Sequence, residues 1–327
     1  MRILVVGGAG YIGSHVARAF LDRGDGVTVY DNLSSGREEN LFSHAEFIRG
    51  DILDGEKLKS VLAEGFDGLI HLAAFKAAGE SMIKPEKYSV NNISGSLSIL
   101  NACAATGINA IVFSSSAAVY GEPRYCPVDE KHPTEPINYY GYTKLQIEGF
   151  LRWYEKLKNI RYAALRYFNA AGYDPDGRIL GLEQNPENLL PVIMEAAVGK
   201  RKSLKIFGDD YDTRDGTGIR DYVHVTDLAD AHVRALDWIR AQNKSLTCNL
   251  GSDHGISVKE MLSTAREVSG REIPAESAPR RPGDPAVLYA SSEKAAEALG
   301  WRARLSDVNT IVETTWRVYR RNLDEKV

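Results

Sequence analysis

Two short stretches of this chain carry side chains whose types and spacing could do chemistry together. Tyr140 and Lys144, in the run Tyr140-Gly141-Tyr142-Thr143-Lys144, are four apart, so on a helix both project from one face. A phenol beside an ammonium is a candidate general base. To act near neutral pH, a tyrosine must come down by about 3 from its ordinary pKa near 10, which is roughly 4 kcal/mol. A unit positive charge at about 4 Å supplies on the order of 4 kcal/mol at an effective dielectric near 20. Tyr139 and Tyr142 cannot take the same role, because helical spacing turns them about 100° and 200° away. Upstream, a strand ending Phe113-Ser114-Ser115-Ser116 brings hydroxyls to the carboxyl edge of a sheet, where ligands of α/β folds bind. Hydroxyl, phenol and ammonium then converge.

The second stretch is Gly7-Gly8-Ala9-Gly10-Tyr11-Ile12-Gly13, entered from the apolar run Arg2 to Val6. Gly8, Gly10 and Gly13 meet the dinucleotide fingerprint, and Gly7, Gly10 and Gly13 overlay the variant spacing of short-chain dehydrogenases. Glycine is needed where backbone approaches a pyrophosphate and where helix packs on strand, since a Cβ would clash at either place. The helix that follows aims free N–H groups at the phosphates. Asp31 stands at the end of the next strand, about 20 residues on, where an acidic residue accepts from the adenosine ribose and repels a 2′-phosphate. The alternative for Asp31 is a turn residue beside Asn32. Together the glycine loop and the Tyr-x-x-x-Lys pair read as a nicotinamide enzyme that prefers NAD to NADP.

Positioning these residues requires strands that alternate with helices. Short β-branched runs occur near 2–7, 27–31, 46–51, 68–74, 110–116 and 161–167, with segments of helical period between them, such as Ser14 to Arg23 and Asn92 to Ala105. Continuous apolar strands in that alternation predict a parallel sheet covered on both faces. After Asn169 the texture changes to a Gly/Pro/Asp-rich stretch, Gly172 to Pro191, which reads as a loop. Beyond it, a strand is expected at 204–207, a helix at 226–242 and a strand at 247–250. The expected fold is α/β: a doubly wound, Rossmann-type parallel sheet over residues 1–170, and a smaller mixed α/β substrate domain over 171–327. Segments near 215–250 are expected to return to the first domain.

Composition narrows the classes. A length of 327 residues suits one large domain with a smaller companion. A net charge of −4 with dispersed Lys and Arg offers no basic face for nucleic acid. Cys103, Cys126 and Cys248 are widely spaced and lack partners at metal-ligand spacing, so they read as reduced packing residues and no metal is expected. His71 and His224, each in an apolar strand-like run, read as structural. Met1 leads straight into a core strand, and no apolar run approaches the roughly 20 residues that span a bilayer. The expectation is a cytoplasmic protein without a membrane or nucleic-acid partner.

The runs FSSSAAVYG at 113–121 and GTGIRDYVHVTDLADAH at 216–232, with the opening GGAGYIGSH and the Tyr-x-x-x-Lys pair, resemble the UDP-glucose (UDP-galactose) 4-epimerases of the extended short-chain dehydrogenase/reductase family. The resemblance runs from Met1 to about Trp316. It implies that Tyr140 takes the proton from the sugar 4-hydroxyl, that Ser116 hydrogen-bonds that oxygen, and that Lys144 tunes the phenol and holds the nicotinamide ribose. The C4 hydride would pass to bound NAD, the 4-keto sugar would turn its other face, and the hydride would return, inverting C4.

On the cofactor side the resemblance assigns Tyr11, Ile12, Asp31, Asn32, Ser35, Gly36, Asp51, Ile52, Lys76 and Asn91, with Tyr167 beside the nicotinamide. On the UDP-sugar side it assigns Asn169, Asn188, Leu189, Phe207, Arg220, Arg281 and Asp284. Leu288 aligns with a position where some relatives carry a bulkier tyrosine, so a 2-N-acetyl sugar is also expected to enter. Departures are Val6, where Thr often precedes the glycines, and Asn138-Tyr139, where Ser-Pro is frequent. A nucleotide-sugar dehydratase would need an acid beside the serine, whereas Ala117 and Ala118 follow Ser116. A uronic-acid epimerase stays open, and a non-catalytic NAD-binding regulator would be expected to lose Tyr140 or Lys144. The family commonly forms homodimers through helices that include the Tyr-x-x-x-Lys helix. The amphipathic stretch Lys144 to Lys156 fits such a dimer or burial under the second domain equally.

Overall fold

The computed structural model describes residues 1–183, 186–281 and 284–324. Its strands are β1 (Arg2–Val6), β2 (Gly26–Asp31), β3 (Glu46–Arg49), β4 (Gly68–His71), β5 (Ala110–Ser116), β6 (Arg161–Tyr167), β7 (Asn169–Ala171), β8 (Leu204–Phe207), β9 (Ile219–Arg220), β10 (Tyr222–His224), β11 (Leu246–Leu250), β12 (Ile256–Ser257), β13 (Ala275–Ala278) and β14 (Val287–Leu288). Its helices are α1 (Tyr11–Asp22), α2 (Gly55–Leu62), α3 (Ala78–Ile83), α4 (Pro85–Tyr88), α5 (Gly95–Thr106), α6 (Tyr139–Lys158), α7 (Leu189–Ala197), α8 (Val225–Gln242), α9 (Val258–Ser269), α10 (Glu293–Leu299) and α11 (Val308–Asp324).

Seven strands form one parallel sheet in the order β11-β6-β5-β4-β1-β2-β3. Strand order reverses between β1 and β4, and the crevice beyond the carboxyl ends of those strands is where a doubly wound sheet takes a dinucleotide. Both faces are covered, which is why Ile3, Leu4, Val5 and Val6 are all fully buried. One face packs Val16, Phe20, Leu228 and Leu236 of α1 and α8, and the other packs Leu58, Ile99, Ile147 and Leu151 of α2, α5 and α6. A third apolar cluster joins α7, α9 and α11 through Ile193, Met194, Met261, Ile311 and Trp316. Around it lie three small sheets, β10-β7, β12-β9-β14 and β13-β8. No helix among the described residues is long and apolar enough to cross a membrane.

Element bounds differ from the sequence reading where backbone geometry decides them. The first helix begins at Tyr11, inside the glycine motif, because Gly10 in extended conformation turns the chain directly into it. The segment read as one helix from Asn92 is a π-helical turn, Ser89–Ser94, continued by α5. The catalytic-pair helix begins at Tyr139 because Asn138 caps it, its side chain accepting from the Gly141 N–H at 2.8 Å.

Candidate active site

The Tyr-x-x-x-Lys residues occupy the first two turns of α6, against the end of β5. The Tyr140 phenol lies beside the Ser116 hydroxyl, close enough for that hydroxyl to act on its ionisation. Lys144 is 2 % exposed, and its Nζ donates to the Ser114 carbonyl at 2.7 Å while lying 5.8 Å from the Tyr140 ring centroid and 4.8 Å from that of Phe113. The three serines divide their work by strand alternation. Ser116 meets Tyr140, the Ser114 hydroxyl meets the Tyr167 hydroxyl, and Ser115 points to the opposite face and donates to Glu148 at 2.6 Å.

Electrostatics here run against the simplest expectation from the pair's spacing. Burial pushes the Tyr140 phenol above its ordinary pKa, and the Ser116 hydroxyl pulls only partly back. Burial also lowers Lys144 to about 7. Two ionisable groups packed together with no carboxylate beside Lys144 both prefer their neutral forms. The phenol is therefore primed to hold or give a proton, and its ionisation needs further positive charge in the crevice.

The glycine loop sits at the ends of β1 and β4. Gly7 has φ +85°, and a Cβ there would lie 2.6 Å from the Ala73 nitrogen. At Gly13 a Cβ would lie 2.0 Å from the Gly7 carbonyl oxygen. Gly10, by contrast, would meet only that same oxygen at 3.3 Å, so its open side is the one that faces the crevice. This is a fit for a dinucleotide: tight turn, close helix packing and one bare position where a diphosphate comes near. Asp31 is buried, its two oxygens accepting from the Ala9 and Leu33 N–H groups at 3.0 and 2.8 Å. Burial raises its pKa and those two bonds oppose the rise. Each oxygen keeps a second lone pair for a ribose hydroxyl.

The other residues that the resemblance assigns to the cofactor have partners of their own. Asn32 donates to the Asp51 carboxylate at 2.9 Å, Ile52 is buried, and Gly36 packs against Ala9 and Asp31, with Ser35 exposed beside it. Tyr11 leaves the loop to bond the Gly172 carbonyl, and Ile12 is half-buried behind it. Lys76 is ion-paired with Glu183. Asn91 donates to Asn92, whose own side chain bridges the Phe75 backbone and Thr143 of α6.

On the other side of the crevice the candidates come from five separated segments. Arg220 pairs with Asp284, and Arg281 lies 3.9 Å over the Phe207 ring. The Asn169 backbone and side-chain N–H groups both donate to the Asp221 carbonyl. Asn188 and Leu189 open α7, and Leu288, like Cys126 and Phe168, packs against the cluster of Val119, Tyr120 and Val128.

Asp221 escaped the sequence reading although it follows Arg220 directly. It is fully buried, its carboxylate accepting from the Ser252 N–H and hydroxyl at 2.8 and 2.7 Å and from the Ala290 N–H at 3.0 Å, and its own N–H donates to the Leu288 carbonyl. Burial lifts its pKa to about 6 against those bonds. It thus ties together the backbones that carry Asn169, Arg220 and Leu288. An acidic residue inside the apolar run 219–225 is the signal that would have found it.

The histidines are structural in geometry. His71 Nε2 bonds the Ser96 hydroxyl at 2.8 Å, and burial first, then Lys144, lowers its pKa to about 3. His224 Nδ1 accepts from the Thr226 N–H and caps α8. His15 bonds the Tyr11 carbonyl through Nδ1 and accepts the Asp174 N–H at Nε2, which sets a neutral tautomer, consistent with burial lowering it to about 4.

Comparison with known proteins places this geometry. Over 318 residues the chain is 49% identical to the UDP-glucose 4-epimerase of Lacticaseibacillus casei, covering 97% of this chain and 96% of that one. The structure of the UDP-glucose 4-epimerase from Brucella ovis in complex with NAD superposes with a TM-score of 0.95 at 43% identity, covering 97% and 98% of the two chains. The UDP-Glc/GlcNAc 4-epimerase of Campylobacter jejuni superposes with a TM-score of 0.87 at 40% identity, covering 98% and 99%. Residues 3–251, from the first strand through the glycine loop and the Tyr140–Lys144 pair to the last strand of the large sheet, match one family throughout, and the chain belongs to the NAD dependent epimerase/dehydratase family.

Proposed function

We propose that this protein is a UDP-glucose 4-epimerase, interconverting UDP-glucose and UDP-galactose with NAD held in the crevice. The observation that carries the reading is the Ser116–Tyr140–Lys144 arrangement at the sheet edge beside the glycine loop, in a chain so close to the Lacticaseibacillus enzyme. Bound NAD supplies a two-electron acceptor and donor for the sugar carbon C4. The loop N–H groups and α1 would take its diphosphate, Asp31 and Asn32 its adenosine ribose, Asp51 and Ile52 the adenine, and Lys76, Asn91, Lys144 and Tyr167 the remainder. Tyr140 Oη takes the proton from the 4-hydroxyl on oxidation and returns it on reduction, while Ser116 Oγ holds the same oxygen. Lys144 and the cationic nicotinamide together provide the positive charge that burial alone denies the phenol.

Inversion also requires that the nucleotide stay held while the sugar turns. Arg220, Arg281, Asp284, Phe207, Asn169, Asn188 and Leu189 lie on other segments than the chemical pair, which supports a fixed UDP grip beside a freer sugar space. Arginine forks suit the diphosphate, and Arg220 would exchange part of its bond to Asp284 for it. The reading includes a cytoplasmic location, where UDP-sugars and NAD are available, and a homodimer through α6. Trp153 and Leu157 on that helix are 60% and 69% exposed, which supports a second copy covering them.

The test is to incubate purified protein, with no added cofactor, with UDP-glucose, UDP-GlcNAc and UDP-glucuronate separately and to resolve the 4-epimers chromatographically. UDP-galactose is expected from UDP-glucose. No epimer from any of the three, even with NAD supplied, overturns the reading. UDP-GalNAc is expected as well, because Leu288 leaves more room than a tyrosine and the Campylobacter relative acts on both sugar types. Turnover of UDP-glucose with none of UDP-GlcNAc at matched concentration would remove that extension.

Cofactor preference gives a separate check. The apoprotein is expected to bind NAD at least about 10²-fold tighter than NADP, since a 2′-phosphate would face the buried Asp31 carboxylate. Equal affinities in a fluorescence titration would show that Asp31 is only a turn residue.

A further inference from the structure

Glu148 is fully buried on α6, two turns beyond Tyr140 and one beyond Lys144, on the same helical column. Its Oε1 accepts from Ser115 Oγ at 2.6 Å and from Arg166 Nε at 2.9 Å, and its Oε2 accepts from Arg166 Nη2 at 2.6 Å. Arg152 reaches it from outside at 4.0 Å. Arg166 in turn donates through Nη1 to the Tyr120 hydroxyl at 3.0 Å, which donates to Asn249 on β11 at 2.6 Å. None of these groups enters the crevice, so the chemistry described above does not use them.

Their placement matters because of what flanks them. The last three residues of β5 each meet one residue of the α6 column: the Ser116 hydroxyl lies beside Tyr140, the Ser114 carbonyl accepts from Lys144, and the Ser115 hydroxyl donates to Glu148. The first two attachments belong to groups that must move or orient a proton. The third is made on the face of β5 that α6 covers and is anchored to β6 and β11 by Arg166. A buried ion pair is a poor stability device, since apolar side chains of equal volume commonly do as well or better. What it supplies here is a fixed length and direction between β5, β6 and α6.

Resting on the epimerase reading, we propose that Glu148 is a positioning residue, which with Ser115 and Arg166 sets the register of α6 on β5 and thereby the distance of Tyr140 and Lys144 from Ser116 and the substrate oxygen. A displacement of about 1 Å in such a constellation costs up to roughly 10²-fold in rate. The UDP-side residues sit on other elements and are not governed by this register, so the loss should fall on kcat alone.

The experiment compares wild type, Glu148→Gln, Ser115→Ala and the double variant Glu148→Met/Arg166→Met as NAD-loaded proteins, with kcat, KM for UDP-glucose and the pH dependence of kcat measured for each. Glu148→Gln is expected to lower kcat about 10- to 100-fold and Ser115→Ala several-fold, with KM within twofold, NAD content unchanged and the acidic limb of the pH profile displaced. Ser115→Ala removes only the link to the strand, and the double variant replaces the ion pair without leaving an unpaired charge, so both keep the test open if Glu148→Gln fails to fold. Wild-type kcat in Ser115→Ala and in the folded double variant overturns the inference, as does a loss that only tracks the folded fraction with an unmoved pH profile. An inactive wild type would instead remove the epimerase reading, and this inference with it.

Discussion

Tyr140→Phe is expected to lower kcat for UDP-glucose by about 10³-fold while leaving the fold and the bound NAD intact. Removing one hydroxyl costs only its polar contact with Ser116, at most about 1 kcal/mol of stability. It also removes the group that carries the proton, and positioned acid–base catalysis is worth about 10²- to 10⁴-fold. Ser116 cannot take over, because a serine hydroxyl is a far weaker base than a phenolate raised beside an ammonium. Neither can the neighbouring tyrosines: Tyr139 is turned toward Ser89 at 2.6 Å, and Tyr142 is stacked on it at 5.5 Å between ring centroids, 42% exposed. Stopped assays of epimer formation, with NAD content and circular dichroism measured alongside, decide the matter. Full turnover in the variant would show that Tyr140 is not the group that carries the proton.

Gly13→Ala should have the second largest effect, and it should differ in kind from Gly10→Ala. The added methyl at position 13 would stand 2.0 Å from the Gly7 carbonyl oxygen and 2.8 Å from the Gly8 Cα, both backbone atoms that cannot rotate away. Either α1 withdraws from the sheet or the loop opens, and overpacking of this severity costs about 3 kcal/mol or more. The expected result is a melting temperature lowered by at least about 5 °C and protein that purifies without NAD. Gly10→Ala meets nothing closer than 3.3 Å, so its fold should survive, and its methyl should act only against the cofactor diphosphate. Normal NAD retention in Gly10→Ala would mean that the diphosphate does not pass where the motif places it. Normal stability in Gly13→Ala would mean that the helix does not pack as closely as the structure shows.

Much of the candidate site was open to proposal from sequence because its residues announce themselves locally. The glycine spacing, the acidic residue closing β2, and a tyrosine and lysine four apart each carry their reason within a few residues. The doubly wound sheet was legible from the alternation of apolar strands with helical periods, and the later segment 247–250 supplies its seventh strand, β11, beside β6. Asp221, Glu148 and Asn92 were not legible in the same way. Each is an ordinary polar residue in an amphipathic or mixed stretch, and its role lies in hydrogen bonds to partners from 17 to 69 positions away. Nothing in local spacing distinguishes Glu148 or Asn92 from a solvated residue, and only the run 219–225 around Asp221 hints at its burial.

The protonation of the candidate pair, Tyr140 and Lys144, shows the same division. From spacing, the ammonium of Lys144, helped by the charge of an oxidised nicotinamide, is large enough in magnitude to bring the Tyr140 phenol into the neutral range. The fold buries both groups and gives Lys144 a backbone carbonyl as partner, so desolvation raises the phenol and lowers the ammonium to about 7. Sequence by itself determined which residues could do chemistry and on which kind of element they stand, because side-chain identity and helical or strand period are properties of neighbouring positions. Only the tertiary structure decided which serine faces the phenol, which carboxylates are buried and held, and how far the pair's charges are weakened, because burial and long-range hydrogen bonds exist only once distant segments are packed together.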